Sequence, residues 1–172
     1  MQVAATNTRR ILGASPWAHQ RTGLLSILLA MGDAKTEALS KVPLFAHCTR
    51  KELEFVASRA DEVDAPAGRE LVRQGRPGDT FYVLLDGEAD VEVDGRRRPP
   101  LKAGDFFGEI SMLDRGPATA TVVTKTPVRM MVMSHSQFRD AIKGSDDLLH
   151  QVMVAVGERL RADSLASQAG NH

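Results

Sequence analysis

The sequence predicts a mainly β domain, an all-β barrel or sandwich, with helices on either side of it. Three observations carry this. From Asp61 to about Ser134, glycines at 68, 75, 78, 87, 95, 104, 108 and 116 place turn signals at intervals near ten residues. Within that stretch, Glu88 to Val93 alternates strictly, with Ala89, Val91 and Val93 on one face and Glu88, Asp90 and Glu92 on the other. Apolar residues recur at helical spacing on either side of it.

Taken in order, the elements follow from local chemistry. Residues 1–33 show no sustained period and are expected to form a flexible extension. A short helical piece at Lys35 to Lys41 is interrupted by Pro43. Thr49 and Glu52 stand in the capping-box relation that opens a helix, with Leu53, Val56, Ala57 and Ala60 as its buried stripe. Phe81 to Leu85 is apolar on both faces and belongs deeper than its neighbours. Thr119–Thr124 and Val128–Met133 read as a final strand pair. Ser134 and Gln137 form a second capping box, before Phe138, Ala141 and Ile142, and Gly144 ends that helix. Ser145 caps a last helix, to Arg161, whose buried face is Leu149, Val152, Met153, Val156 and Leu160. The expected organisation is an extension at 1–33, one domain at 34–162 and a flexible tail at 163–172.

Composition limits the function. Lysine plus arginine equals aspartate plus glutamate at 22 each, with a sequence pI near 7.0, so the basic excess of a dedicated nucleic-acid binder is missing. Cys48 is the single cysteine, which rules out an intrachain disulfide and agrees with a cytoplasmic location. The apolar run Leu24 to Met31 is far shorter than the roughly 20 residues of a membrane span. Arginines precede it as in a signal peptide, but Pro16, Trp17, His19 and Gln20 interrupt the approach. Met31 is a possible alternative initiator. His19, His47, His135, His150 and His172 form no pair at helical or strand spacing, so a metal-dependent enzyme is not expected. The run Arg96–Arg98 before Pro99 and Pro100 reads as an exposed hairpin tip, with anion or partner binding as the alternative, and Met130, Met131 and Met133 read as core and barrel surface.

The richest chemistry lies in Gly104 to Val123. Gly108 permits unusual dihedrals and close approach of a ligand to the backbone. Glu109 can accept from a pair of sugar hydroxyls, and Ser111 with nearby N–H groups can cradle an anion. The same residues also fit a simple turn with a solvated acid.

The run Phe107-Gly108-Glu109-Ile110-Ser111-Met112-Leu113, with Pro117 and Thr119-Ala120-Thr121-Val122, resembles the phosphate-binding cassette of cyclic-nucleotide-binding domains. Such domains occur in protein kinase A regulatory subunits, catabolite-activator-type regulators and nucleotide-gated channels. Gln74-Gly75 and Gly78 to Leu84, followed by Gly87, resemble a second signature of that family. The resemblance covers about residues 36–160. It implies an eight-stranded double-stranded β-helix, a jelly-roll barrel closed by N- and C-terminal helices.

It also implies a regulatory module that senses cyclic AMP, or else cyclic GMP, needs no cofactor and acts on a protein effector. Glu109 would accept from the ribose 2′-hydroxyl. The Ile110 amide and Ser111 would face the cyclic phosphate, Thr119 would contact phosphate or base, and the last helix would lie over the base. One position departs from the pattern: Ala118 stands where the family places a phosphate-binding arginine. Arg73, Arg76 and Arg115 are the nearby arginines that could reach in, and each also reads as a solvated surface charge. The alternative is a degenerate fold that has lost the ligand and serves as a protein-interaction module. The related DNA-binding regulators carry a helix-turn-helix after the last helix, and the residues beyond Arg161 are too few for one.

Overall fold

The computed structural model describes residues 18–169. The chain divides into two compact units, residues 1–31 and 32–172. In the first, Ala18 onward is helical, as part of α1 (Ala18–Ser40). The helix forms although no sustained period marks residues 18–33 in the sequence; the part before Ala18 lies outside the described residues. Leucine, alanine and methionine favour helix without needing periodicity, and no proline falls between Ala18 and Ser40. In the second unit the last turns of α1 bury Leu39 and Thr36, whose hydroxyl donates to Gly32 O at 2.8 Å.

After a 3-10 turn at Pro43–Phe45 comes α2 (Arg50–Arg59), with its capping box made: Thr49 N donates to Glu52 Oε2 at 2.7 Å and Glu52 N to Thr49 Oγ1 at 3.3 Å. Eight strands follow: β1 (Asp61–Ala65), β2 (Glu70–Val72), β3 (Thr80–Asp86), β4 (Ala89–Val93), β5 (Arg96–Leu101), β6 (Phe106–Phe107), β7 (Thr121–Thr124) and β8 (Val128–Ser134). Helix α3 (Glu109–Asp114) sits between β6 and β7, and α4 (His135–Lys143) and α5 (Asp146–Ala169) end the described chain.

The strands form two antiparallel sheets of four, ordered β1-β8-β3-β6 and β2-β7-β4-β5. β7 and β8 therefore do not pair with each other as expected. Lys125–Pro127 carries the chain from one sheet to the other, and β8 lies between β1 and β3. One face of the first sheet presents Phe81, Val83, Met131 and Met133 to Phe45, Val56, Phe138 and Leu148. Its other face, with Leu84, Val128 and Met130, meets Leu71 and Leu101 of the second sheet. The three methionines are thus all interior, none of them barrel surface.

Three further expectations change. The tip of the β4–β5 hairpin is Asp94-Gly95, both at positive φ (52° and 72°), as a two-residue hairpin loop requires. Arg96–Arg98 is strand, not tip, and Pro99 and Pro100 are tolerated because β5 is a sheet edge. Gly144 ends α4 in right-handed geometry (φ −87°); a Cβ there would lie 2.6 Å from the Phe55 ring, so packing, not a left-handed cap, asks for glycine. Ser145 does cap α5, accepting from Leu148 N at 3.1 Å. However, α5 runs on to Ala169, and its inward stripe is Leu148, Val152 and the half-buried Val156. Leu149, Met153 and Leu160 face solvent. The Ala162 to Ala169 stretch contains no helix breaker, so nothing stops the helix at Arg161.

Candidate functional site

Strand β6 is two residues long, and its end is dictated by Gly108. Its φ is +88°, and a Cβ there would stand 2.4 Å from Thr80 O on β3. Only glycine allows the chain to turn this tightly against β3 and enter α3. The turn places the next residue, Glu109, fully inside the protein. One carboxylate oxygen, Oε1, accepts from Arg159 of α5, which also donates to Phe106 O. The guanidinium carbon lies 4.9 Å from the Phe106 ring centroid, which adds a cation–π contact. The second oxygen, Oε2, is buried and has no hydrogen-bond partner among the described residues.

Glu109 forms part of the wall of a cavity of about 860 Å³, a volume that suits a small-molecule ligand. The floor is apolar. Tyr82 and Phe107 stack with centroids 4.6 Å apart and planes within 6°, beside Val91, Leu101 and Val122. The Tyr82 hydroxyl donates to Leu71 O at 3.2 Å, and burial pushes the phenol above its ordinary pKa. All six residues singled out from the sequence, Gly108, Glu109, Ile110, Ser111, Ala118 and Thr119, line this one cavity. Gly78 is packed so closely on Ser111 that a Cβ would meet its Oγ at 2.3 Å, which joins the two sequence signatures.

Charged side chains ring the cavity. Arg73 Nε and Nη2 each donate to Glu70 at 2.9 Å, and this partner raises the Arg73 pKa further. Arg98 of β5 pairs with Asp163 of α5 at 3.6 Å, and its Nε is buried without a partner among the described residues. Arg76 and Asp79 line the rim. Arg115 is exposed and does not line the cavity, so it drops out as a candidate.

Sequence reasoning missed Arg98, Arg159 and Asp163. The signal for Arg98 was Asp94-Gly95: a two-residue turn there sets Arg98 opposite Val91, on the cavity face. For α5 the signal was the stripe itself. Anchored on Leu148, it leads at helical spacing to Arg159 and then Asp163.

The comparisons with known proteins agree with the geometry. Residues 62–145 match the family model of the cyclic nucleotide-binding domain. A cAMP-dependent protein kinase regulatory subunit of Aspergillus niger is 34% identical over 115 residues, covering 66% of this chain and 28% of that protein. A CRP-like cAMP-activated global transcriptional regulator of Mycobacterium tuberculosis is 28% identical over 133 residues, 73% of this chain and 58% of that protein. The chain thus spans only part of the length of these relatives. Among solved structures, the regulatory domain of Toxoplasma gondii protein kinase A with cAMP superposes with TM-score 0.67 at 20% identity, over 80% of this chain and 52% of that one. The regulatory subunit of a cAMP-independent protein kinase A from Trypanosoma brucei superposes with TM-score 0.65 at 21% identity, over 72% and 46%. Sequence signatures, fold and relatives together make this chain a member of the cyclic nucleotide-binding domain family.

Proposed function

We propose that the cavity binds a cyclic nucleotide, cyclic AMP in the first place, and that the domain is a regulatory sensor acting on a protein effector. The observation that carries this is Glu109 Oε2, a fully buried acceptor at the wall of the cavity with no partner among the described residues. A buried acceptor left unmade is unfavourable by about 1–3 kcal/mol or more. A ribose 2′-hydroxyl donating to it removes that penalty. In the same reading the Ile110 amide and Ser111 face the cyclic phosphate and Thr119 contacts phosphate or base. Tyr82 and Phe107 offer an apolar floor, and the Arg159–Asp163 turn of α5 forms the cover. The two sheets then act as the jelly-roll barrel of the family, with α5 as its lid. Preference for cyclic AMP is supported by the kinase and regulator relatives, which are a cAMP-dependent kinase subunit and a cAMP-activated regulator.

A second reading has its own support. Arg159 already neutralises Glu109, and position 118 supplies a methyl group in place of a cation. A site of that kind fits a domain that keeps the fold as an interaction module. Calorimetric titration of the full chain with cyclic AMP and cyclic GMP separates the two. Saturable heat with cyclic AMP, reduced at least tenfold in affinity by Glu109→Ala, is the expected result. No heat with either nucleotide, from protein that still unfolds cooperatively, would favour the interaction module.

A further inference from the structure

Four arginines line the cavity: Arg73, Arg76, Arg98 and Arg159. Three of them are matched by a carboxylate, Arg73 by Glu70, Arg98 by Asp163 and Arg159 by Glu109. Arg76 has no ion pair and no side-chain hydrogen bond among the described residues. The remaining cavity acid, Asp79, accepts from the Thr80 hydroxyl at 3.2 Å.

The backbone of Arg76 is held against the segment where the cation is missing. Ala118 N donates to Arg76 O at 2.8 Å, Gly75 N donates to Ala118 O at 2.9 Å, and Pro77 bridges Pro117. Arg76 therefore springs from the chain directly beside Ala118, on the rim of the same cavity. Drawing Arg159 onto an incoming anion would strand Glu109, which is fully buried, and Arg98 is already engaged by Asp163 at 3.6 Å. A stranded buried charge is strongly unfavourable. Arg76 is exposed and has no such partner to lose, so only its side-chain freedom opposes the contact.

We infer that Arg76 meets the phosphate of the bound nucleotide and supplies, from the neighbouring turn, the positive charge absent at position 118. This rests on the cyclic-nucleotide reading and assigns that site its anion-binding residue. The guanidinium offers paired donors that match phosphate oxygens.

The test is the affinity of the full chain for cyclic AMP in five forms: wild type, Arg76→Ala, Arg76→Lys, Ala118→Arg, and Arg76→Ala combined with Ala118→Arg. Arg76→Ala is expected to weaken binding by about 10- to 100-fold, the loss of a charged hydrogen bond. Arg76→Lys should fall in between, since it keeps the charge without the fork. The double variant should recover most of the lost affinity, because the arginine has only moved across the bridge, and a merely structural role for Arg76 would not be rescued this way. Thermal unfolding of each variant checks that it is folded. If the double variant does not fold, Arg76→Lys binding more tightly than Arg76→Gln supports the assignment, and equal affinities overturn it. Wild type and Arg76→Ala binding equally would also overturn it, as would a folded double variant no better than Arg76→Ala. Absence of binding in every form, wild type and Ala118→Arg included, would instead sink the cyclic-nucleotide reading and this assignment with it.

Discussion

The segment Phe106–Thr119 and the helix α5 both build the cavity, but they do so by different rules. The segment is fixed by short-range geometry: Gly108 at φ +88° against Thr80 O, a six-residue helix, and an Arg115 cap in left-handed conformation. Helix α5 has no such local constraint near the cavity. It is placed by Leu148 and Val152 at one end and by two long-range ion pairs, from Arg159 and Asp163, further along. A site wall made by backbone strain is rigid by construction, whereas one held by charge pairs can be released by anything that competes for the charges.

The comparison can be broken most severely at the rigid side. Gly108→Val forces a branched side chain into a left-handed conformation and into Thr80 O. A loss of about 3 kcal/mol or more in denaturant-measured stability is expected, the strained-backbone figure plus the clash. A loss under about 1 kcal/mol would mean that the turn can rearrange. Arg159→Ala tests the coupling between the two regions. It leaves the buried Glu109 carboxylate without its cation, so stability should fall by about 2 kcal/mol, less than for a fully buried pair because Arg159 is about a third exposed. Hydrogen exchange should then quicken in the last turns of α5 while the core around Phe81 stays protected. Asp163→Asn touches only the helix side. Its 3.6 Å pair with Arg98 is exposed at the aspartate, and the change should stay below about 1 kcal/mol. A larger effect would show that α5 depends more on Asp163 than its exposure suggests.

The same division decides what could be read from the sequence. Both capping boxes and the alternating β4 depend on neighbours within a few positions, and such spacing is visible in a single chain; the six cavity residues from Gly108 to Thr119 depend on partners far along the chain, and only the resemblance of their segment to a known cassette singled them out. The two-sheet arrangement was less legible, because β7 and β8 are adjacent in sequence and both strand-like, yet they pair elsewhere. The face of α5 was misjudged by one residue. Leu148 and Leu149 are chemically equal, and only the packing against Phe45 and Val56 chooses between them. Arg98 was taken for a surface charge because a triple arginine reads as solvated. Its pairing with Val91 turns one of the three inward. The length of α1 was hidden for another reason: Leu24–Met31 is apolar on every face, so it has helix-forming residues without a period.

Two sheet edges described above have a consequence for the protein at high concentration. An open edge is a template on which the strand of another molecule can grow, and its reach depends on a row of free N–H and C=O groups. On β5 the consecutive prolines 99 and 100 each lack an N–H, and since successive residues point to opposite sides of a strand, one of the two leaves a gap in that row. On β1, the outer strand of the other sheet, Asp61, Glu62 and Asp64 would set like charges against any copy of themselves. Self-templated polymerisation is thus opposed at one edge by a missing donor and at the other by repulsion, and at the first edge Pro99 also lines the cavity.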